Sequence, residues 1–419
     1  MAKEKLGILS SYDELCGNAS YTKALVQEFS KHYDVTVVPL KVELLRKGES
    51  AAAQQHIKEV CQQLKTFDCV NIQFEAGLFG SSLPSILFRF LMIGQACKKL
   101  VLTMHRYHAK EKYPNIKMVV KSILNKKIKQ RLDEFQFAYI NNRYLPLYDK
   151  IIAYCVKRKA PILVHTKREC ELIKIKFNYA QVYDHPLSFF DQDYIESIRK
   201  SSSRENFCKR YSLNPNKTYI GIFGFINRYK GHETAIQALE FLPKEYELLI
   251  FGAQHPHTIT LEESINPYIA SLVQLVKKLG LTDRVKFYGS LNDEDFLKAL
   301  LFCDYNVLPY LEVNQGGSAV AALALETCAN SIFSQNRAFL ELSRYAPDAF
   351  KMFSIGNYLE LAQAILSYGK STYSAQINAF HTQYNIQTSV QLYRQLLSGE
   401  KILESHPEKS ADLQPLTVS

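Results

Sequence analysis

The feature that most constrains the fold is a repeated alternation of short apolar segments with amphipathic helical segments. In the first part of the chain the apolar segments are Lys5–Ser10, Asp34–Leu40, Asp68–Phe74, Lys99–Met104 and Pro161–His165. Helical patterns such as Ala19–His32 and Leu83–Cys97 separate them. Strands that alternate with helices form β-α-β units, so this part predicts a parallel sheet covered by helices.

The alternation starts again after residue 217. Its strand candidates are Thr218–Phe223, Glu247–Phe251, Val285–Tyr288, Tyr305–Leu308 and Ile332–Ser334. A polar segment, Tyr194–Lys217, separates the two series, and we place the domain boundary there. We therefore predict an α/β chain of two Rossmann-like, doubly wound domains, residues 1–200 and 201–400, and a disordered tail at 401–419. Ligands of such sheets bind beyond the carboxyl ends of the strands, so both domains would face one cleft.

The net charge of +10 has one location. The chain carries 51 Lys and Arg against 41 Asp and Glu, and residues 106–159 alone contain 14 basic and 4 acidic residues. The remainder is balanced, with 37 of each sign. This distribution argues against a uniformly basic nucleic-acid-binding surface, and we predict no nucleic-acid partner.

The sequence lacks the motifs of several common classes of binding and catalytic site. The chain contains no Gly-x-x-x-x-Gly-Lys-Ser/Thr, no Gly-x-Gly-x-x-Gly and no His-Glu-x-x-His. The nine cysteines are scattered without a Cys-x-x-Cys, which predicts neither a zinc site nor a disulfide framework. The first residues lack the apolar core of a secretory signal, and no apolar stretch reaches membrane-spanning length. We expect a cytoplasmic protein without a metal or other cofactor.

Three loops at predicted strand ends in the first part carry candidate site residues. Gly17 and Asn18 precede the first helix, where a glycine allows close backbone approach to a ligand, although an ordinary turn has the same pattern. Gln73 and Glu75 lie two apart at the end of one strand and would face the cleft together, unless Glu75 caps the next turn. His105 ends another strand and is a candidate hydrogen-bond donor to a sugar, or else a structural histidine.

The second part offers a basic loop and a glycine-rich loop. Arg228 and Lys230 follow Gly224 at a strand end, and their charges suit a diphosphate, although an exposed basic turn would look the same. A second loop leads into a helix and offers free amides and carboxylates for phosphates and hydroxyls. Its candidates are Glu312, Gln315, Gly316, Gly317, Ser318 and Glu326.

In their order and spacing, these motifs resemble GT-B fold glycosyltransferases of the family 4 type, a retaining group that uses nucleotide sugars. The resemblance runs to about residue 400. It rests on Gly17, Gln-x-Glu-x-Gly-x-Phe-Gly at residues 73–80, Thr-x-His at 103–105, Val-His-Thr at 164–166, Gly224 to Gly231, Tyr-Gly-Ser-Leu-x-Asp at 288–293, and Asp-x-x-Val-Leu-Pro at 304–309.

The resemblance implies roles for the candidates. His105 would lie beside the transferred sugar, Arg228 and Lys230 would hold the donor diphosphate, and Gln73 and Glu75 would lie on the acceptor side. The donor-binding residues would be Gly17, Asn18, Gly224, Gly289, Glu312, Gln315, Gly316, Gly317, Ser318 and Glu326.

The chain departs from the family pattern at two places. Phe225 stands where the family usually has Arg directly after the glycine, and Arg228 is the candidate to replace it. The family's Glu-x7-Glu pair is not intact, because Ser318 lies eight residues before Glu326. Asp191-Gln192-Asp193 matches the metal-binding Asp-x-Asp of the other glycosyltransferase fold, and we interpret it as a chance match.

The basic stretch predicts a peripheral membrane contact. Apolar residues between Ile116 and Leu132 recur at helical spacing, with lysines beside them and aromatic residues after them. Such a helix suits an anionic bilayer, although a solvated basic face is the alternative. The expected function is hexosyl transfer from a UDP- or GDP-sugar to a glycan or lipid-linked acceptor at the cytoplasmic membrane face, as in polysaccharide biosynthesis. The alternatives are a GT-B sugar-nucleotide epimerase and a catalytically degenerate membrane-docked scaffold.

Overall fold

The computed structural model describes residues 3–12, 17–113, 128–253, 266–311, 317–327, 330–368 and 374–399. The first sheet is entirely parallel, with its strands in the order β2-β1-β3-β4-β5-β6. Its strands are β1 (Lys5–Ser10), β2 (Asp34–Pro39), β3 (Cys69–Phe74), β4 (Lys99–Met104), β5 (Ile162–Val164) and β6 (Val182–Asp184). The central strand β3 is buried along its whole length, including its two polar residues Asn71 and Gln73.

The second sheet is also parallel, with its strands in the order β12-β11-β10-β7-β8-β9. Its strands are β7 (Thr218–Phe223), β8 (Tyr246–Phe251), β9 (Val285–Phe287), β10 (Tyr305–Leu308), β11 (Ser331–Ser334) and β12 (Lys351–Phe353). The two doubly wound sheets confirm the predicted fold class. The sequence pattern missed β6 and β12, because three-residue edge strands are too short to show a period.

Helices flank both sheets. Those of the first half are α1 (Gly17–Phe29), α2 (Val42–Arg46), α3 (Ala51–Leu64), α4 (Ala76–Phe79), α5 (Leu83–Ala96), α6 (Ile128–Arg158) and α7 (Lys167–Phe177). Those that follow are α8 (Gln192–Ser201), α9 (Arg204–Arg210), α10 (His232–Leu239), α11 (Pro267–Lys278), α12 (Asp293–Phe302), α13 (Ala319–Glu326), α14 (Arg337–Ser343), α15 (Tyr358–Leu366), α16 (Ser374–Gln383) and α17 (Ile386–Ser398). Within the described ranges, none of them combines the length and the apolar character that crossing a bilayer requires.

The polar segment between the two series is helical rather than an extended linker. Asp191 caps α8 by accepting from the backbone N–H of Tyr194 at 2.7 Å, and Ser203 caps α9 by accepting from that of Asn206 at 3.1 Å. These short polar residues stop one helix and start another, which explains the loop-like composition. A helix N-cap is therefore what the structure shows for Asp191 in the Asp-Gln-Asp motif.

Helix α17 packs against the first half of the chain and covers the first sheet. Val390, Tyr393 and Leu397 of α17 pack with Leu25 and Phe29 of α1 in one buried cluster. The segment 201–400, which we predicted as one domain, thus includes a helix that covers the first sheet. The sequence pattern did not indicate that α17 packs on the first sheet, because α17 has the amphipathic pattern of any surface helix.

The two halves also meet at the edge of the first sheet. Lys167, at the start of α7, donates to the carbonyl of Arg344 at 3.1 Å, and the Arg168 backbone N–H donates to Glu341 at 3.1 Å. Tyr345 donates to Asp184 of β6 at 2.7 Å. These contacts hold the carboxyl ends of both sheets on the same cleft.

Candidate active site

Loops from both halves enclose a cavity of about 280 Å³ beyond the carboxyl ends of the strands of the first sheet. The predicted residues Gly17, Asn18, Glu75, His105 and Gly317 all line it. The remaining described lining residues are Tyr21, Arg106, His165, Leu187 and Ala319. The structure therefore brings together the strand-end loops that the sequence analysis selected one at a time.

His105 directly follows β4, and its backbone N–H donates to the carbonyl of Phe74 at 3.1 Å. Its Nε2 lies 2.8 Å from Oε1 of Gln73. The ring packs against His165, with 4.9 Å between centroids, and meets Tyr21 edge-on at 5.9 Å. Burial, with His165 beside it, holds the pKa of His105 well below its ordinary value of 6.5. The imidazole is therefore neutral near pH 7, with one donor nitrogen and one acceptor nitrogen.

His165 is a cavity residue that the sequence analysis did not select. It follows β5 as His105 follows β4, and its Nδ1 lies 3.0 Å from the carbonyl oxygen of His185, so Nδ1 donates. Burial lowers the pKa of His165 to about 4. The signal that could have found it is the one that found His105, a polar residue at the end of a buried strand.

Glu75 and Arg106 place a carboxyl group and a guanidinium on the first-half wall of the cavity. Burial raises the pKa of Glu75, and the charge of nearby Arg106 opposes that rise. Arg106 also donates to Oδ1 of Asn141 on α6 at 2.8 Å. Since both groups are polar and partly enclosed, this wall can recognise polar groups of a ligand.

Gln73 occupies a different position from the one predicted for it. Its side chain is fully buried beneath His105 and contacts Asn71 and Thr103, whereas Glu75 lines the cavity. The prediction that the two would face the cleft together assumed that the strand continues through residue 75. The strand ends at Phe74 and α4 begins at Ala76, so the alternation of side chains stops before Glu75.

Lys230 is a buried cation in the second half. Its side chain is 6% exposed, its Nζ donates to the hydroxyl of Tyr310, and the ring of Tyr310 lies 4.0 Å from Nζ. Burial lowers the pKa of Lys230 from 10.5 to about 7. Among the described residues, no carboxylate forms an ion pair with it. An amine in such a place is poised to gain a proton when an anion arrives.

The surroundings of Lys230 depend on two glycines with positive φ. Gly224 has φ 94°, and a Cβ there would lie 3.3 Å from Nζ of Lys230 and 3.5 Å from Val320. Gly231 has φ 68°, and a Cβ there would lie 1.9 Å from the carbonyl oxygen of Pro309. Both positions need glycine, because the backbone approaches its neighbours closely and adopts a left-handed conformation.

Ser318 connects Lys230 with the start of α13. It caps this helix by accepting from the backbone N–H of Ala321 at 3.3 Å, and its side chain lies near the hydroxyl of Tyr310, which Lys230 also contacts. Val320, which like Lys230 lies beside Gly224, follows the cavity residue Ala319. A buried amine, a hydroxyl and helix-start amides thus converge beside the cavity, an arrangement that suits a phosphate group.

Arg228, Gly289 and Glu326 are three further candidates that the structure describes. The guanidinium of Arg228 is exposed and lies 5.2 Å from the centroid of the Tyr268 ring. Gly289, with φ 72°, lies in the loop between β9 and α12. Glu326, at the far end of α13, is 2% exposed and accepts from the backbone N–H of Phe189 at 2.6 Å. Burial raises the pKa of Glu326 to about 8.

Some predictions fall outside the described residues. These are Glu312, Gln315 and Gly316 of the glycine-rich loop, and residues 114–127 of the basic stretch. Within the described ranges, no group of three or more His, Cys, Asp or Glu side chains could hold a metal ion.

Comparison with known proteins finds a family model that matches part of the chain. Residues 203–331, which contain Gly224, Lys230 and Ser318, match the family model described as "Glycosyl transferases group 1". This match covers less than a third of the chain. A 2-deoxystreptamine glucosyltransferase from Streptomyces kanamyceticus is 27% identical over 187 residues, which are 43% of this chain and 45% of that protein. The match thus spans less than half the length of that relative.

Solved structures show that this chain has the predicted GT-B fold. HepE from Anabaena, in complex with UDP, has a TM-score of 0.62 and 14% identity, covering 94% of this chain and 100% of that chain. Sucrose-phosphate synthase from Thermosynechococcus elongatus has a TM-score of 0.64 and 15% identity, covering 95% of this chain and 100% of that chain. At these identities the likeness shows the shared architecture alone.

Proposed function

We propose that this chain is a retaining glycosyltransferase that moves a sugar from a nucleoside-diphosphate sugar to a hydroxyl of a glycan or lipid-linked acceptor. The donor is a UDP-sugar or a GDP-sugar, and the UDP-sugar is favoured. The observation that carries the proposal is Lys230, a buried amine beside the glycine turn at Gly224 and the helix start at Ser318. The diphosphate of the donor supplies the negative charge that this cluster lacks. HepE was solved with UDP and with UDP-glucose, which favours uridine as the first base to test.

In the proposed reaction, the bond between the anomeric carbon and the diphosphate breaks while the acceptor oxygen bonds to the same face of that carbon. The proton of the acceptor hydroxyl passes to the departing phosphate oxygen. Charge develops on the diphosphate as it leaves, and Lys230 with the first amides of α13 would stabilise it. His105 would position the sugar by a hydrogen bond, and Glu75 would contact the acceptor. We propose no resident metal, since these groups supply the positive charge.

The test is turnover with a panel of UDP-, GDP- and ADP-sugars, comparing Lys230→Met with the control Lys351→Met. Lys351 lies on the edge strand β12 and bonds Ser367, so its loss leaves the cleft intact. We expect sugar transfer with one nucleotide, loss of at least tenfold in kcat/KM for Lys230→Met, and no change for the control. Equal turnover by wild type and Lys230→Met would refute the proposal. Isomerisation of the donor without an acceptor would favour the epimerase, and no binding of any donor would favour the scaffold.

We also propose that the enzyme works at an anionic membrane surface, with residues 106–159 as the contact. The described part of this stretch exposes Tyr113, Phe135, Tyr139 and Ile140, each more than 40% exposed, and the rings of Tyr113 and Phe135 pack together at 5.3 Å. Aromatic side chains beside many lysines suit the headgroup region of a bilayer. Sedimentation with liposomes that contain anionic lipid should decrease as salt rises, and salt-independent binding or no binding would contradict the proposal.

A further inference from the structure

A buried hydrogen-bond network lies behind His105 and reaches helix α17. Its members Asn71, Gln73, Thr103 and Tyr393 each have 0% exposure. Asn71 and Gln73 come from β3, Thr103 comes from β4, and Tyr393 comes from α17. Buried polar side chains in this number are held only when their hydrogen bonds are mutually satisfied, so their orientations are coupled.

A backbone carbonyl determines which way the hydrogen bonds of the network run. Nδ2 of Asn71 lies 3.2 Å from the carbonyl oxygen of Val101, which can only accept, so this end of the Asn71 amide is the donor end. Oδ1 of Asn71 is then the acceptor that faces Nε2 of Gln73. Because the amino group of Gln73 is used there, its Oε1 is the atom that lies 2.8 Å from Nε2 of His105.

The tautomer of His105 follows from this sequence of bonds. An amide oxygen cannot donate a hydrogen bond, so Nε2 of the neutral His105 ring must carry the proton and Nδ1 must be unprotonated. Turning both amides over would place Oδ1 of Asn71 against the carbonyl oxygen of Val101, two acceptors 3.2 Å apart. The reversed arrangement is therefore disfavoured, and the ring of His105 is held in one form.

Tyr393 completes the network from the other side of the chain. Oγ1 of Thr103 lies 3.0 Å from Nδ2 of Asn71 and 3.3 Å from Nε2 of Gln73, and both nitrogens donate to it. The proton of the Thr103 hydroxyl is then directed to the hydroxyl of Tyr393, 2.6 Å away. Without this acceptor, Thr103 would turn its proton toward the amides and oppose their present orientation.

We propose that Asn71, Gln73 and Tyr393 are positioning residues that hold His105 in the Nε2–H tautomer, so that its Nδ1 can only accept a hydrogen bond. The ligand group that meets Nδ1 must then be a donor, such as a sugar hydroxyl, and not a carboxylate. This last consequence rests on the proposed function, whereas the tautomer itself does not. Helix α17 thereby contributes to the active site, although Tyr393 lies 288 residues after His105 in the sequence.

The test is the histidine tautomer measured by ¹⁵N NMR on the full chain without substrate. The signals of His105 are identified as those absent from His105→Gln. We expect wild type to show a protonated Nε2 and a bare Nδ1. Tyr393→Phe keeps the ring that packs against Phe29, and we expect its His105 signals to move toward a mixture of both tautomers. Thr103→Val, which removes the other end of the same bond, should give the same change.

The control is Tyr368→Phe, which removes a buried hydroxyl bonded to the Ser331 backbone N–H in the second half. It should leave the His105 signals unchanged. A wild-type Nδ1–H form, an unchanged tautomer in both Tyr393→Phe and Thr103→Val, or an equal change in Tyr368→Phe would overturn the proposal. In turnover, Tyr393→Phe should lower kcat about tenfold with donor KM within about twofold, corresponding to loss of one oriented hydrogen bond. If the chain proves to have no transferase activity, the NMR result still decides the tautomer.

Discussion

Replacing Lys230 with Met should make the protein more stable in the absence of ligand while removing its proposed donor contact. Burial lowers the pKa of Lys230 from 10.5 to about 7. At 1.36 kcal/mol per pKa unit, this difference corresponds to about 5 kcal/mol of destabilisation below pH 7. Met removes that term and also the hydrogen bond to Tyr310, whose loss offsets about 1 kcal/mol. We therefore expect a net gain of a few kcal/mol at pH 7.

The gain should depend on pH with a defined sign. Because the pKa of Lys230 is lower in the folded chain than in the unfolded one, unfolding takes up a proton between about pH 7 and pH 10.5. The wild type therefore gains stability as pH rises through this window, and the advantage of Lys230→Met shrinks. Urea denaturation of both proteins at pH 7 and pH 9.5 measures this difference. A variant that is less stable than wild type at pH 7, or whose advantage does not shrink at pH 9.5, would refute the reasoning.

Three further outcomes follow from the same structure. Donor affinity should fall about fivefold between pH 7 and pH 8 and about tenfold per pH unit above that, because the diphosphate requires a charged Lys230, whose pKa is about 7. Calorimetric titration with a UDP-sugar measures this affinity, and an affinity that does not change with pH would contradict the role of Lys230. Glu326→Gln should keep donor binding, and loss of donor binding would show a direct contact. Because burial raises the pKa of Glu326 from 4.5 to about 8, wild type loses stability as pH rises from about 4.5 to about 8, so the stability of Glu326→Gln relative to wild type should increase up to about pH 8 and then level off. EDTA should leave turnover unchanged, and activity that returns only with an added divalent ion would contradict the metal-free reaction.

The layout of both sheets could be predicted from sequence because buried parallel strands are continuous apolar runs between amphipathic helices. The pattern gave β1, β4, β7 and β10 with the bounds that the structure shows. It could not show that α17 returns to the first sheet. The partner of an amphipathic face is a tertiary property, and Tyr393 reaches Thr103 across 290 positions of sequence.

The candidate site was predictable where a residue directly follows a buried strand. His105 and Glu75 lie in such loops and line the cavity, and His165 could have been selected by the same rule. The rule does not cover Gln73, which lies within β3, and the expected pairing of Gln73 with Glu75 is wrong because the strand ends at Phe74, before Glu75. The rule does not cover Glu326 either, because a sequence does not show whether a carboxylate in a helix faces a cleft or, as here, a backbone N–H.

The central claim is that the buried amine of Lys230 holds the donor diphosphate. Isothermal titration calorimetry with UDP-glucose at pH 7, on wild type and Lys230→Met, tests it most directly. We predict that wild type binds and that the variant binds roughly 10- to 100-fold more weakly, as expected for loss of a charge-assisted hydrogen bond worth about 1.5 to 3 kcal/mol. Equal affinity of the two proteins for UDP-glucose would contradict the account.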